Sequence, residues 1–427
     1  MLRPLTRRRF LQTSLGSAGL TFCDGSLTRG LFADEKPRAR LPIAAVVTVY
    51  RRNSHADVII GKILEGWTQE GGLGPDLKVA SMFVDQQGDG DLSEPLAKKH
   101  GFTIAKTIDE ALTLGTNSLA VAGVLSIGEH GTYPSVPGTD QVMYPRRRFF
   151  DEIVATFKRC QKVVPVFSDK HLAYAWADAK HMFDTARELR IPFMAGSSVP
   201  VMWRNPSATI PIGSEITEAI ALGYGGLESY GFHSLEGLQC LMERRKGGES
   251  GVKSVQSVTG DGIWQAEKEG RWSKSLFDAL VEFSPTPYKG KQPRPKELAK
   301  DAVFYLIDYR DGTKATVAMG TGFSHEFACA VSMRGHEKPF AVNFMPQDGV
   351  PFGHFEHLLR AVEQMIHSGQ PSYPVERTLL TTGILDVALH SLAEKSQRLD
   401  TPQLAVTYQP ADWSFAKGTP PPPRAAS

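Results

Sequence analysis

Between Pro42 and Ser198 short apolar runs alternate with amphipathic stretches, and few folds admit that rhythm. Ile43–Val49, Val79–Val84, Leu119–Leu125, Val163–Phe167 and Pro192–Gly196 read as buried strands. Between them, His55–Thr68, Leu92–His100, Thr107–Leu114, Arg147–Cys160 and Leu172–Arg190 carry helical spacing. In the first of these, Ile60, Ile63, Leu64 and Trp67 fall on one face. Thr107-Ile108-Asp109-Glu110 is a capping box and marks one helix start closely. Such alternation predicts a parallel sheet covered by helices on both faces, a Rossmann-type α/β domain over 40–200.

After Arg204 the pattern changes. Strands are predicted at Ile210–Leu222, Val252–Thr259, Ala302–Tyr309, Lys314–Met319, Glu326–Ser332 and Pro339–Phe344, with an Asp311-Gly312 hairpin turn. Helices are predicted at Ser234–Arg244, Ser275–Phe283, His354–His367 and Arg377–Ser391. This mixture predicts an α+β domain over 201–395, followed by an extended tail over 396–427 that ends in "AKGTPPPPRAAS". With 427 residues, 41% of them hydrophobic, the chain is long enough for two cores.

Charge excludes some partners. Forty-eight basic residues against 46 acidic ones leave a net charge of +2, which asks for neither nucleic acid nor an anionic membrane. No apolar run is long enough to span a bilayer. The first residues, "TRRRFLQ", match a twin-arginine export signal, with Arg7-Arg8, Phe10 and Leu11 in register. That predicts a signal peptide over 1–33, engagement of the Tat export machinery, a mature start near Asp34 and a periplasmic or otherwise exported protein. Beyond the leader, Cys160, Cys240 and Cys329 are too widely spaced for a disulfide framework or a CxxC site, and read as small buried hydrophobes.

One turn departs from expectation. A strand followed at once by a helix opens a mononucleotide-binding unit, and its turn needs glycines for close approach to a pyrophosphate. Here it reads Val47-Thr48-Val49-Tyr50-Arg51-Arg52-Asn53-Ser54, with no glycine. Later, the Gly/Pro-rich stretch "GEHGTYPSVPGTDQVMYP" (Gly128–Pro145) follows the strand Leu119–Leu125 at the carboxyl edge where ligands bind in such folds, and reads either as a site loop or as an inserted surface loop.

The ordered set "SHADVI", "VASMFVD", "VVPVFSDKHLAYAWADAKHMFDTARELRIPFMAGSS", "GYGGLESYGFHSLEGLQCL" and "VERTLLTTGILDVALHSLAEKS" resembles the Gfo/Idh/MocA oxidoreductases. The resemblance covers nearly all of the chain from Pro42 to about Ala393. It implies that the second domain is built on a large, mostly antiparallel open sheet that can pack against a copy of itself, so a homo-oligomer. It implies a nicotinamide cofactor, NAD or NADP, with Asp85 on the ribose hydroxyls. The glycine positions appear as Val47, Val49 and Arg52, so phosphate contacts fall to Thr48, Arg51 and Arg52. Lys170 matches the family lysine that polarises the substrate oxygen, with Asp169 and His171 in place of its Glu and Pro. His233 matches the family base, and the carboxylate four residues before it is replaced by Ser229. Glu129, His130 and Tyr230 are the candidate substrate contacts.

The function so implied is oxidation of a small-molecule carbohydrate, a sugar or polyol. A glycosidase or lyase using NAD transiently, and a binding protein that has lost the cofactor, remain open alternatives. His354 and His357 lie one helical turn apart in "GHFEHLL", but without a third ligand they read as a packing face and no metal is expected. Trp203 and Tyr224 are single aromatics that either stack on a sugar or fill the core.

Overall fold

Seven residues, Leu41–Val47, form strand β1 at the centre of a parallel sheet, and Ile43 to Val47 are wholly buried on both faces. The computed structural model describes residues 39–283, 302–320 and 325–424; the twin-arginine segment lies outside them. The sheet continues with β2 (Leu77–Val84), β3 (Thr103–Ala105), β4 (Gly123–Ile127), β5 (Val166–Asp169) and β6 (Phe193–Gly196), in the order β3-β2-β1-β4-β5-β6. Every pairing is parallel. The helices between are α1 (His55–Glu65), α2 (Ser93–His100), α3 (Ile108–Thr113), α4 (Arg146–Cys160) and α5 (Trp176–Glu188). The strand order reverses between β1 and β4, and the crevice at that reversal is where such sheets bind ligands.

Two details differ from the sequence reading. Strand β3 has three residues and no apolar run to announce it. Residues 172–175, expected to open the helix, belong instead to a loop over 170–175. Lys170 takes a left-handed φ of 68°, which ends β5 and turns the chain away before α5 begins.

The second sheet has eight strands: β7 (Trp203–Asn205), β8 (Ile216–Gly223), β9 (Val252–Thr259), β10 (Val303–Tyr309), β11 (Lys314–Met319), β12 (Phe327–Met333), β13 (Phe340–Met345) and β14 (Leu399–Asp400). Their order is β14-β9-β10-β11-β8-β12-β13-β7, antiparallel except for β11 against β8. The β10–β11 hairpin turns at Gly312 (φ 89°), with Thr313 N donating to Asp311 Oδ1 at 2.9 Å. The helices are α6 (Ser229–Met242), α7 (Asp261–Lys268), α8 (Lys274–Phe283), α9 (His354–Ser368) and α10 (Glu376–Ala393). Helix α7 was not legible, and strand β8 starts later than expected because Pro211 and Gly213 interrupt the run before it.

Two helices join the sheets. Phe355, Leu358, Leu359 and Val362 of α9 share a core with Ile59, Ile60 and Ile63 of α1. Helix α10 is apolar nearly all round and packs on α5, α6 and β9. Its Arg377 forms a buried pair with Glu243, Nε to Oε2 at 2.8 Å. The last described residues are irregular but packed: Leu404, Tyr408 and Phe415 are buried, and the Tyr408 hydroxyl donates to Glu243 Oε2 at 2.8 Å. Among the described residues, no helix is long and apolar enough to cross a membrane.

Candidate active site

The end of β5 and the first turns of α6 bring two predicted residues together. Lys170 Nζ lies 2.8 Å from His233 Nε2. Lys170 is 3% exposed, and its backbone N–H donates to Gly196 O at 3.2 Å. An ammonium group can only donate, so His233 accepts at Nε2. Its Nδ1 then carries the hydrogen and donates to the Ser197 hydroxyl at 2.9 Å. Burial, reinforced by the Lys170 charge, holds the His233 imidazole well below its ordinary pKa, so it is neutral.

Glu129 compensates the lysine. Its Oε1 is 3.5 Å from Lys170 Nζ, and its Oε2 accepts from Arg146 Nη2 at 2.6 Å. Burial alone would raise this carboxyl; the Lys170 and Arg146 cations outweigh it and hold Glu129 well below the usual carboxylate range. Arg146 opens α4 and is 1% exposed. Its Nη1 reaches His171 Nε2 at 3.0 Å, and that ring stands 3.4 Å from Glu228 Oε1. Burial, then the Arg146 charge, lowers the His171 pKa.

A second imidazole faces the same space. His55, the first residue of α1, holds Nδ1 2.6 Å from Asp169 Oδ2, and Asp169 ends β5. This orients the ring with Nε2 away from the carboxylate. The His130 ring stands 5.4 Å from it, and burial followed by the His55 charge lowers His130 to about 4.

Glu129, His130, Lys170, Glu228, Tyr230 and His233 line one cavity of about 610 Å³. A smaller one of about 270 Å³ adjoins it and shares His55, His130, Tyr230 and His233. Tyr224 lines the smaller cavity beside Tyr230, whereas Trp203 is buried against His357 and faces neither. His354 is buried, accepts from Gln347 N at 3.2 Å and lines the smaller cavity, whereas His357 packs against Trp203. Cys240 and Cys329 are buried; Cys160 is half-buried and carries a long contact to Asn117 O.

Lys170, His233, Glu129, His130 and Tyr230 therefore come together. Sequence reasoning missed Arg146, His55, Asp169 and Ser197 as site groups. Two of them carried a signal: His55 as the residue that opens the first helix, and Asp169 as the neighbour of Lys170 in the motif.

A 3-2-1-4-5-6 parallel sheet joined to an open, mostly antiparallel sheet, with a lysine and a histidine meeting between them, is the architecture of Gfo/Idh/MocA-type dehydrogenases. This chain has that fold. Neither a protein-family model nor a curated protein sequence matches the chain. Among solved structures it is similar to GenD2 from gentamicin A biosynthesis in complex with NAD, at a TM-score of 0.54 and 13% identity over 88% of this chain and 99% of that one. It is similar also to a probable dehydrogenase from Thermotoga maritima (0.52, 12%, 85% and 100%). A third is scyllo-inositol dehydrogenase from Lactobacillus casei with bound NAD(H) and scyllo-inositol (0.52, 11%, 84% and 99%).

The residues expected to hold a nicotinamide dinucleotide are placed otherwise. Thr48 is buried, and its hydroxyl donates to Glu129 O at 2.6 Å. Arg51 lines a separate cavity of about 310 Å³ with Gln86 and Gly131; Arg52 is exposed and lines none of the cavities described. Both Asp85 oxygens are taken, Oδ2 by the Tyr133 hydroxyl at 2.8 Å and Oδ1 by Arg148. At the start of α1, Asn53 N donates to Asp57 Oδ2 at 2.8 Å and Asp57 N to Ser54 Oγ at 3.3 Å, so the chain's own groups occupy the anion-binding end of the helix. Finally, the segment Glu129–Tyr133 crosses the crevice from β4 to β2. Gln86 Nε2 donates to Thr132 O and Thr132 N to Gln86 Oε1, each at 2.9 Å. Gly131 (φ 102°) permits the crossing, since a Cβ there would lie 2.8 Å from the Tyr133 ring and 3.0 Å from Gln86 Oε1. This arrangement does not fit a dinucleotide.

Proposed function

We propose that the chain is an enzyme acting on a sugar or polyol at a carbon–oxygen centre, with Lys170 polarising the substrate oxygen and His233 as the base. The observation that carries this reading is the part-buried 2.8 Å contact between an ammonium group and a neutral imidazole at the wall of a large cavity. A substrate oxygen arriving at Lys170 Nζ replaces His233 Nε2 as the acceptor and frees that lone pair to take a proton. Negative charge developing on the oxygen then meets the ammonium in a site shielded from water, where the interaction is strongest. Glu129 stands beside the Lys170 ammonium, Arg146 keeps Glu129 in place, and Ser197 fixes the His233 tautomer.

Oxidoreductase chemistry is the class supported by likeness to the inositol dehydrogenase and GenD2 structures, and their printed names support a carbohydrate-like substrate. A second reading, an enzyme or binding protein of this fold that works without a resident dinucleotide, is favoured by the Glu129–Tyr133 crossing. Export through the twin-arginine pathway is part of the proposal and rests on Arg7-Arg8 and the residues after them; finding Met1 on secreted protein would end it. Self-association through the open sheet is proposed on the resemblance alone.

The test is a thermal-shift and turnover screen of inositols, hexoses and their keto forms against wild type and Lys170→Ala. Binding of one of these compounds, with turnover lost in a folded Lys170→Ala protein, supports the reading. Full turnover in that variant ends it.

A further inference from the structure

We infer that this site catalyses a redox-neutral proton transfer on a carbonyl-bearing sugar, the interconversion of a ketose and an aldose, and that it does so with no nucleotide. The inference rests on the proposed roles of Lys170 and His233 and deepens them by naming the reaction.

Its first support is what the crevice holds. Alcohol oxidation must deliver a hydride to an acceptor beside the reacting carbon. Here the path over the carboxyl ends of β1 and β2 is crossed by Glu129–Tyr133, which is hydrogen-bonded to Thr48, Gln86 and Asp85. The same segment delivers the Glu129 carboxylate to Lys170. Opening the crevice would thus dismantle the site, so closure and site assembly are one structural event.

The second support is that the groups present are complete for enolisation. That reaction needs a cation at the carbonyl oxygen, a neutral base beside the adjacent carbon and a group that moves a proton between two oxygens. Lys170 is the cation and His233 the base. His55, oriented by Asp169 and lining the same cavity, is the third.

The atoms balance without an oxidant. The C–H bond next to the carbonyl breaks, its proton goes to His233 Nε2, and its electron pair forms the carbon–carbon double bond of an enediolate. The former carbonyl oxygen takes the negative charge against Lys170. His55 moves a proton from the neighbouring hydroxyl to that oxygen. His233 returns its proton to the former carbonyl carbon as the new carbonyl forms. Nothing is oxidised or reduced overall, and His233, His55 and Lys170 end as they began.

The test uses the purified full chain in deuterium oxide with fructose, glucose, xylulose, xylose and 2-keto-myo-inositol, and no added nucleotide. Deuterium at the carbon adjacent to the carbonyl is read by NMR. The expected result is incorporation into at least one probe about 100-fold or more above buffer, abolished in Lys170→Met and His233→Asn proteins whose circular dichroism is unchanged. If either variant fails to fold, competitive inhibition of wild-type exchange by a sugar hydroxamate, a mimic of the enediolate, takes its place. Absence of exchange, together with polyol oxidation when NAD is supplied, overturns this inference and leaves the acid–base reading standing. Absence of exchange, oxidation and binding alike overturns both.

Discussion

The Thr48 hydroxyl donates to the backbone carbonyl of Glu129 at 2.6 Å, tying the end of β1 to the loop after β4 across the crevice of the sheet. In the place where a glycine-rich turn would admit a pyrophosphate, a side chain closes the gap with the chain's own backbone.

Thr48→Val tests the tie, since valine keeps the shape and removes the hydroxyl. The buried carbonyl of Glu129 loses its partner, at a cost of about 1–2 kcal/mol. Urea unfolding should show a lower midpoint at an unchanged slope. An unchanged midpoint would mean that the crossing segment is held by its other contacts alone.

Lys170→Met should lower turnover by about 100-fold or more while the protein stays folded. Glu129 remains paired with Arg146 at 2.6 Å, so no buried carboxylate is abandoned. Substrate-screen kinetics beside circular dichroism separate the two effects. Loss of secondary structure would assign Lys170 to the fold instead.

Gly196→Ala should be strongly destabilising, by about 2 kcal/mol or more. Gly196 has φ 121° and accepts from the Lys170 N–H, and a Cβ there would stand 2.5 Å from Glu236 Oε2, which is buried with it. Thermal unfolding measures this. A wild-type melting temperature would show that the β5–β6 end yields more easily than its packing implies.

Acid should weaken the fold before it reaches the carboxylates. Burial lowers His354 to about 3 and His130 to about 4, against an ordinary value of 6.5, and lowers His171 and His233 as well. Below pH 6.5 the unfolded chain takes up protons that the folded one refuses, so their stabilisation is present above 6.5 and is lost as pH falls toward the folded values. Burial lowers His357 too, and it raises the carboxyls of Asp57, Glu218, Glu236, Asp348 and Glu363, which work the other way at the acid end of this range. Denaturation midpoints should drop between pH 7.5 and pH 5. Equal midpoints would mean that the imidazoles take up protons in the native state.

Most of the parallel sheet was legible, because Ile43–Val47 and its neighbours are continuous apolar runs bounded by helical spacing. Strand β3 was not, since Thr103–Ala105 is too short to show a period. Lys170 and His233 could be found from their motif context, and Glu129 from its place at a strand end in a Gly/Pro-rich loop. Arg146 could not. It opens a run of three arginines that reads as solvated, and only the fold shows that Arg146 turns inward while Arg147 and Arg148 stay partly exposed. The His55–Asp169 pair joins residues 114 positions apart, a contact that no local pattern encodes. The crossing of the crevice was equally hidden: the missing glycines showed what the turn lacks, and only the tertiary structure shows what stands there instead.

The most direct measurement is nucleotide content. Purified protein would be denatured and its supernatant analysed by mass spectrometry for NAD and NADP, with a thermal-shift titration of both on the native chain. No bound nucleotide and no stabilisation are expected, because Thr48, Gln86, Asp85 and Asp57 are engaged by the chain itself. Stoichiometric NAD, or a clear upward shift on adding it, would contradict the account and return the chain to the dehydrogenases whose fold it shares.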